Sequence, residues 1–293
     1  MIRVKNQPLT PFERNVYSQW GEDGVIEEIF KRLHLDYANH LCIDIGAWDG
    51  QFLSNTKNLI DNGMSAILVE GNSDRARGAK EVFASNPSVR IIEAFVDENF
   101  RLSSILSVES LDIALLNIDI DSDDLKVLST LDNVKPKLIV IEFNPTIPNH
   151  VDFINPTGMR QGNSAKAILA FAESRDFSLI HATSTNLILC QNPLLEEISI
   201  KPMLVDEALD DSQTVRAIFV GYDGSLLIVG NDSIAFPWHG LRKSIRQLEL
   251  PKSIRKFPEE YSLWNKVMFR YFWFLQYWKI ALVRRANRMK MRI

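Results

Sequence analysis

Short apolar runs alternate with amphipathic segments along the first two thirds of the chain. Isoleucine, valine and leucine concentrate at residues 41–45, 66–70, 90–95, 113–118 and 138–143, which predicts five buried strands. Helices are predicted between these strands at residues 55–62, 75–84, 102–106 and 123–131. This alternation is typical of an α/β protein in which helices cover both faces of a mostly parallel sheet.

Further elements flank the five predicted strands. A helix at 164–175 leads into strands at 178–182 and 186–190, which can form a hairpin, and a helix at 25–33 precedes the sheet. Residues 216–221 and 225–229 surround Tyr222-Asp223-Gly224, a sequence typical of a β-hairpin turn. We predict a helical cap at 1–40, a core domain at 41–192, an insertion or cap at 193–241 and a basic, aromatic-rich helical tail at 242–293.

A glycine-containing loop follows the first predicted strand. Its glycines favour close approach of a ligand to the backbone at the carboxyl end of the strand. The loop is neither a dinucleotide fingerprint nor a phosphate loop, which argues against dinucleotides and nucleoside triphosphates. The candidate ligand-binding residues in it are Asp44, Gly46, Ala47, Trp48, Asp49 and Gly50.

The next two strands also end in acidic residues. Glu70, followed by Gly71, is placed to accept both hydroxyls of a ribose, so the ligand is predicted to be nucleoside-like. Asp97 is a candidate acceptor for an adenine amino group or a solvated loop carboxylate. Ser54, Asn55 and Thr56 either cap the following helix or contact the cofactor.

Several motifs in order resemble the FkbM-like branch of the class I S-adenosylmethionine-dependent methyltransferases. They are Ser18-Gln19-Trp20-Gly21-Glu22-Asp23-Gly24, Gly46-Ala47-Trp48-Asp49-Gly50, Ser54-Asn55-Thr56, Ile118-Asp119-Ile120-Asp121 and Glu142-Phe143-Asn144-Pro145. The resemblance covers residues 17–190 and departs from the family pattern at Asp121-Ser122-Asp123. It implies a Rossmann-like class I methyltransferase fold ending in an antiparallel hairpin. It further implies S-adenosylmethionine as cofactor, with Gln19, Glu22, Asp23 and Asp119 among its contacts, and methylation of a hydroxyl, often on a sugar or other metabolite.

The fourth and fifth strands deliver acidic and amide side chains at their carboxyl ends. Alternate residues of a strand share a face, so Asp119 and Asp121 can point together, as can Glu142 and Asn144. These four residues are candidate ligands for Mg²⁺ or Mn²⁺, which would hold the acceptor and lower its hydroxyl pKa. Asp119 and Glu142 are therefore candidate catalytic residues.

Other interpretations of the same residues stay open. His150 and His181 are candidate general bases, although a lone histidine is more often a packing or surface residue. Asp119-Ile120-Asp121 also matches the metal-binding pair of a nucleotide-sugar glycosyltransferase. The acidic residues can instead cap a helix, and the protein can instead be a non-catalytic adaptor that works through its tail.

The amino-acid composition predicts a cellular compartment and shows that charge is distributed unevenly along the chain. Two cysteines in apolar runs and no apolar leader favour a cytoplasmic protein without disulfides. From Arg242 onward there are 14 basic and 3 acidic residues, a net charge of +11, whereas the rest carries 19 basic and 34 acidic residues, a net charge of −15.

The basic tail includes an aromatic-rich segment at 264–283. As a helix it has an apolar face, which predicts contact with an anionic membrane surface, the acidic body or a second copy in an oligomer. Nucleic acid is not expected as a partner, because the acidic body would repel it and no recognised nucleic-acid module is present.

Overall fold

A computed structural model describes residues 2–96, 100–106, 112–130 and 134–290 of the 293-residue chain, with side chains as far as residue 278. The residues fall into two units, 1–214 and 215–293. In chain order the first unit contains β1 (Arg3–Val4), α1 (Glu22–Arg32), β2 (His40–Ile45), α2 (Lys57–Asp61), β3 (Ser65–Glu70), α3 (Ser73–Val82), β4 (Val89–Glu93), β5 (Asp112–Ile118), α4 (Asp124–Ser129), β6 (Leu138–Glu142), α5 (Ala165–Glu173), β7 (Phe177–Ala182), β8 (Asn186–Gln191), α6 (Leu195–Ile198), α7 (Val205–Ala208) and β9 (Leu209–Asp210).

Seven of these strands form one sheet in the order β4-β3-β2-β5-β6-β8-β7. The five strands from β4 to β6 are parallel to their neighbours, and β8 runs antiparallel to both β6 and β7. The expected mostly parallel sheet with a terminal hairpin is therefore confirmed. Strand order, which the sequence pattern left open, comes from the pairing itself.

Alternating side chains of the central strands pack into two apolar layers, one on each face of the sheet. On β2, Ile43 belongs to one buried cluster, whereas Cys42 belongs to the other. Burial on both faces explains why these strands read as continuous apolar runs in the sequence. It also accounts for the two free, buried cysteines, Cys42 and Cys190.

The predicted strands of the sheet agree with the observed ones to within two residues at each end. The helix predicted at 102–106 is instead a 3-10 turn, Leu102–Ile105. The helix predicted from residue 55 begins at Lys57, because the Ser54 hydroxyl accepts the backbone N–H groups of Thr56 and Lys57. Residue 131, the predicted end of the next helix, lies outside the described residues.

The segment preceding β2 and the segment following β8 both join the first unit. Strands β1 and β9 pair antiparallel, and the Gln7 side chain bonds both the N–H and the C=O of Ala182. Residues 193–214, predicted as part of an insertion or cap at 193–241, lie in the same unit as the sheet.

The second unit contains two hairpins and one long helix. Its elements are β10 (Arg216–Val220), β11 (Leu226–Gly230), β12 (Ser233–Phe236), β13 (Leu241–Ser244) and α8 (Leu263–Lys290). The β10–β11 hairpin surrounds Tyr222-Asp223-Gly224, as predicted from the sequence. Among the residues that the structure describes, no helix has the length and apolar character needed to cross a bilayer.

Candidate active site at the carboxyl edge of the sheet

The candidate site lies where the strand order of the sheet reverses. Strand β2 sits between β3 and β5, so the chain winds outward in both directions from it. In open α/β sheets the crevice at this point, outside the carboxyl ends of the strands, is where ligands bind. The loops after β2 and β5 meet there, since the Asp119 N–H donates to the Ile45 carbonyl at 2.9 Å.

Two glycines of the β2 loop are required by the protein's own packing. Gly46 has a φ of +93°, and a Cβ on it would lie 1.8 Å from the Asp119 carbonyl oxygen. Gly50 has a φ of +76°, and a Cβ there would lie 2.5 Å from the Phe83 ring. The close approach inferred from sequence is therefore made by backbone and ring neighbours, and contact of either glycine with a cofactor stays a prediction.

Asp44, at the base of the loop, is buried in a polar network. Its two carboxylate oxygens accept from the Thr56 hydroxyl at 2.7 Å and the Asn117 amide at 2.8 Å. Asn117 in turn accepts from the Asn55 amide at 2.9 Å. Burial raises the pKa of Asp44. The Ser54–Thr56 segment therefore caps α2 and also fixes the Asp44 carboxylate under the loop.

Glu70 ends β3 beside this loop and is also buried. One carboxylate oxygen accepts the Trp48 N–H at 2.9 Å, and the other accepts the Asn72 N–H at 2.7 Å. Each oxygen of a carboxylate offers two lone pairs, so each of these two oxygens retains one for a further donor. Glu70 is thus held in place with capacity to accept two more hydrogen bonds.

The tip of the β2 loop carries exposed aromatic side chains. Trp48 is 41% exposed at a φ of +53°, and the Arg75 guanidinium lies 3.2 Å from the centre of its ring. The Asp49 carboxylate accepts the N–H groups of Gln51 and Phe52, so it shapes the turn.

The remaining residues near this loop are less informative. Ala47 is buried, and a Cβ on Gly71 would meet only ordinary contacts. Asp97, the candidate adenine contact, lies outside the described residues.

The Ser18–Gly24 motif organises the N-terminal segment. The Asp23 carboxylate accepts the N–H groups of residues 16–18, and Glu22 accepts from the Thr183 hydroxyl and the Asn186 amide on the β7–β8 turn. Both acids are buried, whereas Gln19 is exposed. The motif therefore joins residues before the sheet to its terminal hairpin, and cofactor contact by these three residues stays a prediction.

Three carboxyl groups converge at the carboxyl ends of β5 and β6. Ligand atoms of Asp119, Asp124 and Glu142 all lie within 4.8 Å of one another, and we call these residues the acidic cluster. Asp124 is buried and accepts the N–H groups of Ile120 and Ser122, which closes the loop. Among the ion pairs of the described residues, none involves a member of this cluster.

The cluster differs in part from the predicted metal ligands. Asp121 is exposed at a φ of +60°, outside the group of three, although its charge raises the pKa values of all three. Asn144 uses its amide oxygen to accept from the Thr146 N–H and hydroxyl, and its NH₂ donates to the Gln161 carbonyl. Asp124 was not among the predicted metal ligands, and the loop that its own hydrogen bonds close brings it beside Asp119.

Burial and mutual repulsion disfavour ionisation of the cluster. Burial is the largest cause in each case and raises the pKa to about 6 for Asp124, about 8 for Asp119 and about 10 for Glu142, with neighbouring acids adding to the shift. Asp119 and Glu142 therefore hold protons near neutral pH unless a cation compensates their charge.

The pH dependence of stability follows from these shifts. From about pH 4 upward the folded protein binds more protons at Asp119 and Glu142 than the unfolded chain, whose carboxyl pKa values are about 4, and this difference ends only when the pH passes the folded pKa values of about 8 and about 10. We expect the free energy of unfolding to fall as pH rises from about 7 to about 8.5, with a slope of roughly 2 kcal/mol per pH unit. Urea unfolding at several pH values measures this slope, and Glu142→Gln should flatten it. An equal slope in both proteins would contradict the assignment.

Neither of the two candidate histidines belongs to the acidic cluster. His150 is exposed in the loop after β6. His181 is fully buried on β7, where burial lowers its pKa to about 4, and its Nε2 lies 3.2 Å from a Glu13 carboxylate oxygen. A general-base role for either histidine stays a prediction.

Comparison with known proteins yields similarity at the level of structure. No protein-family model and no curated protein matches the chain. Solved structures that it resembles include the mitomycin 7-O-methyltransferase MmcR, at 14% identity over 57% of this chain and 54% of that chain, with a TM-score of 0.35. TrmK of M. capricolum, bound to S-adenosylhomocysteine, matches at 15% identity over 56% and 67% of the two chains, with a TM-score of 0.36.

A third similar structure is the methyltransferase FkbM from Methylobacillus flagellatus KT, at 15% identity over 53% of this chain and 44% of that chain, with a TM-score of 0.36. The chain thus spans about half the length of MmcR and less of FkbM. At these identities and TM-scores, neither a shared function nor a shared family follows from the likeness. The strand order and the antiparallel β8 fit a Rossmann-like methyltransferase fold.

Proposed function

We propose that the protein is an S-adenosylmethionine-dependent methyltransferase that acts on a hydroxyl group. The observation that carries this proposal is the combination of Glu70 and the acidic cluster at one edge of the sheet, on either side of the strand-order reversal. Glu70 can accept hydrogen bonds from the hydroxyls of a nucleoside, and the acidic cluster can bind a positively charged group attached to that nucleoside.

The charge of the site selects among nucleoside ligands. A cationic ligand would compensate Asp119, Asp124 and Glu142 and favour their ionised forms, whereas a phosphate group would add negative charge beside carboxyl groups that have no ion-pair partner among the described residues. S-adenosylmethionine instead carries an ammonium and a sulfonium, and the sulfonium supplies an electrophilic methyl group when bound. Asp44 and Asp119 lie close enough for the charge of one to raise the pKa of the other, so negative charge continues from the cluster to the base of the β2 loop.

Glu70 is proposed to hold the ribose. Its two oxygens are fixed by the N–H groups of Trp48 and Asn72, and the free lone pairs match the two adjacent hydroxyls of a ribose. Because the carboxylate is already oriented, little side-chain entropy is lost when the nucleoside binds.

Asp119 and Glu142 are proposed to move the proton of the acceptor hydroxyl. Their elevated pKa values lie near and above neutral, the range in which a carboxylate becomes an effective general base. When a cation compensates the cluster, one of the two carboxyl groups is ionised and accepts the hydroxyl proton, and the acceptor oxygen then faces the methyl group as a better nucleophile. A sugar or related metabolite remains the predicted acceptor class.

A divalent cation is a second way to compensate the cluster. The oxygens of Asp119, Asp124 and Glu142 suit a hard ion such as Mg²⁺ or Mn²⁺, and the Asp124 oxygens, although hydrogen-bonded, keep free lone pairs. Such an ion would supply Lewis-acid polarisation of the acceptor oxygen. The fit involves Asp124 in place of the predicted Asn144 amide, whose oxygen is occupied by Thr146.

Binding of S-adenosylhomocysteine tests the proposal. We expect saturable binding by isothermal titration calorimetry, and a loss of about tenfold or more in affinity for Glu70→Gln, because one charge-assisted acceptor is removed. Glu81→Gln on the exposed face of α3 is the matched control and should bind as the unmodified protein does. Equal affinities in both variants would contradict the ribose assignment.

Two other functions stay distinguishable by the same measurement. A glycosyltransferase using Asp119 and Asp121 would bind a uridine diphosphate sugar with Mn²⁺ and would not bind S-adenosylhomocysteine. A non-catalytic adaptor would bind neither ligand. Either pattern would overturn the methyltransferase proposal.

A further inference from the structure

Helix α8 carries a concentration of large apolar side chains in contact with solvent. Among its described residues, exposure is 66% for Trp264, 59% for Tyr271, 58% for Trp273 and 51% for Trp278. Three of the six tryptophans of the chain are in this helix. Soluble proteins rarely leave contiguous apolar surface of this kind uncovered, so it marks a binding surface.

The charged residues of the same segment are all basic. Residues 261–293 contain eight basic residues and no acidic residue. At about 100° per residue, Lys266 and Arg270 fall in one narrow sector of the helix, which we call the basic stripe and which Tyr277 shares one to two turns further on. Positions 267, 271, 274, 275 and 278 fall in the neighbouring sector and carry only apolar or aromatic residues.

We infer that α8 lies in the plane of an anionic lipid bilayer surface, with its aromatic sector among the headgroups and upper acyl chains and its basic stripe against lipid phosphates. Tryptophan and tyrosine suit this depth because they combine an apolar body with a polar tip. A basic stripe beside the apolar sector lets lysine and arginine reach the headgroups while their stems stay apolar. This inference is independent of the proposed reaction.

The β10–β11 hairpin of the same unit offers a second exposed apolar surface. Phe219 lies opposite Leu227 in the pairing register, and Val229 follows two residues along on the same face. All three are more than half exposed. Their presence in the same unit as α8 favours a broad apolar partner, and a bilayer provides one together with the negative charge that the basic stripe requires.

Vesicle flotation of the full chain tests the inference. We expect binding to phosphatidylcholine vesicles that contain phosphatidylserine, weaker binding to phosphatidylcholine alone, and a blue shift of tryptophan emission on binding. Reversing the charge of Lys266 and Arg270 to glutamate should weaken partitioning by about tenfold or more. Replacing Tyr271 and Trp278, which lie in the aromatic sector, by alanine should weaken it comparably and reduce the blue shift.

Matched variants separate the helix from overall charge. Lys135→Glu with Lys201→Glu makes the same change in net charge at exposed positions of the first unit and should leave flotation unchanged. Thermal unfolding should be alike in all variants, since the altered side chains are exposed. Absence of flotation, equal loss in the control, or retention of the chain on RNA in preference to vesicles would overturn the inference. Dimerisation through α8 without vesicle binding would overturn it as well.

Discussion

Gly46→Ala is expected to destabilise the protein by about 4 kcal/mol or more, a large share of the 5–15 kcal/mol typical of a folded domain. Two causes add. The residue has a φ of +93°, and the new Cβ would lie 1.8 Å from the Asp119 carbonyl oxygen. Because that oxygen belongs to the backbone of the β5 loop, the clash cannot be relieved by rotating a side chain. Soluble yield and urea unfolding measure the loss.

Gly63→Ala separates the two causes. Gly63 has a φ of +98°, close to that of Gly46, but a Cβ there would meet nothing within 4 Å. Its substitution carries only the backbone cost, about 1–2 kcal/mol. If the two variants lost equal stability, the contact between the β2 and β5 loops would not be the reason that glycine is needed at position 46.

Glu142→Gln is expected to lower kcat for methyl transfer by about 100-fold or more, since general-base catalysis typically contributes 10²–10⁴. The same change should raise stability above neutral pH, because the folded protein no longer has to keep one of three close carboxyl groups protonated. A purely structural role for Glu142 would predict a loss of both. The opposite signs therefore identify a residue kept for chemistry at a cost in stability.

The assay for Glu142→Gln follows labelled methyl transfer from S-adenosylmethionine to a panel of hydroxylated sugars and phenols. Glu173→Gln is the control, because Glu173 ends α5 and is exposed. Unchanged kcat in Glu142→Gln would remove this residue from the proposed proton transfer. Unchanged S-adenosylhomocysteine affinity together with lost turnover would support it.

The fold was accessible from sequence because burial on both faces leaves a simple pattern. Every strand of the central sheet was predicted to within two residues at each end. A strand that is buried on both faces of a parallel sheet has to be apolar at almost every position, so it appears in the sequence as a continuous run such as residues 113–118. The pattern failed for β1 and β9, which are two residues long, and for the 3-10 turn Leu102–Ile105. Such short elements depend on pairing or local turns and carry no periodic signal.

The sequence predicted the position of each site residue in the fold better than it predicted the contacts that its side chain makes. The sequence placed Asp44, Glu70, Asp119 and Glu142 at the carboxyl ends of strands, because position in a βα unit follows from the run of apolar residues. It predicted Asn144 as a metal ligand, whereas in the structure the amide oxygen of Asn144 accepts hydrogen bonds from the N–H and the hydroxyl of Thr146. The direction in which a loop side chain points depends on backbone φ angles and on nearby hydrogen-bond donors, and neither can be deduced from the pattern of residue types.

The sequence by itself determined the α/β class, the positions of the sheet strands and the acidic character of one sheet edge, because burial and periodicity are local properties. Only the tertiary structure decided which acids meet. Asp124 joins Asp119 and Glu142 through a turn at Asp121, and Gly46 is needed because two loops from different strands touch. Contacts between segments distant in sequence require strand order, which arises from packing the whole sheet.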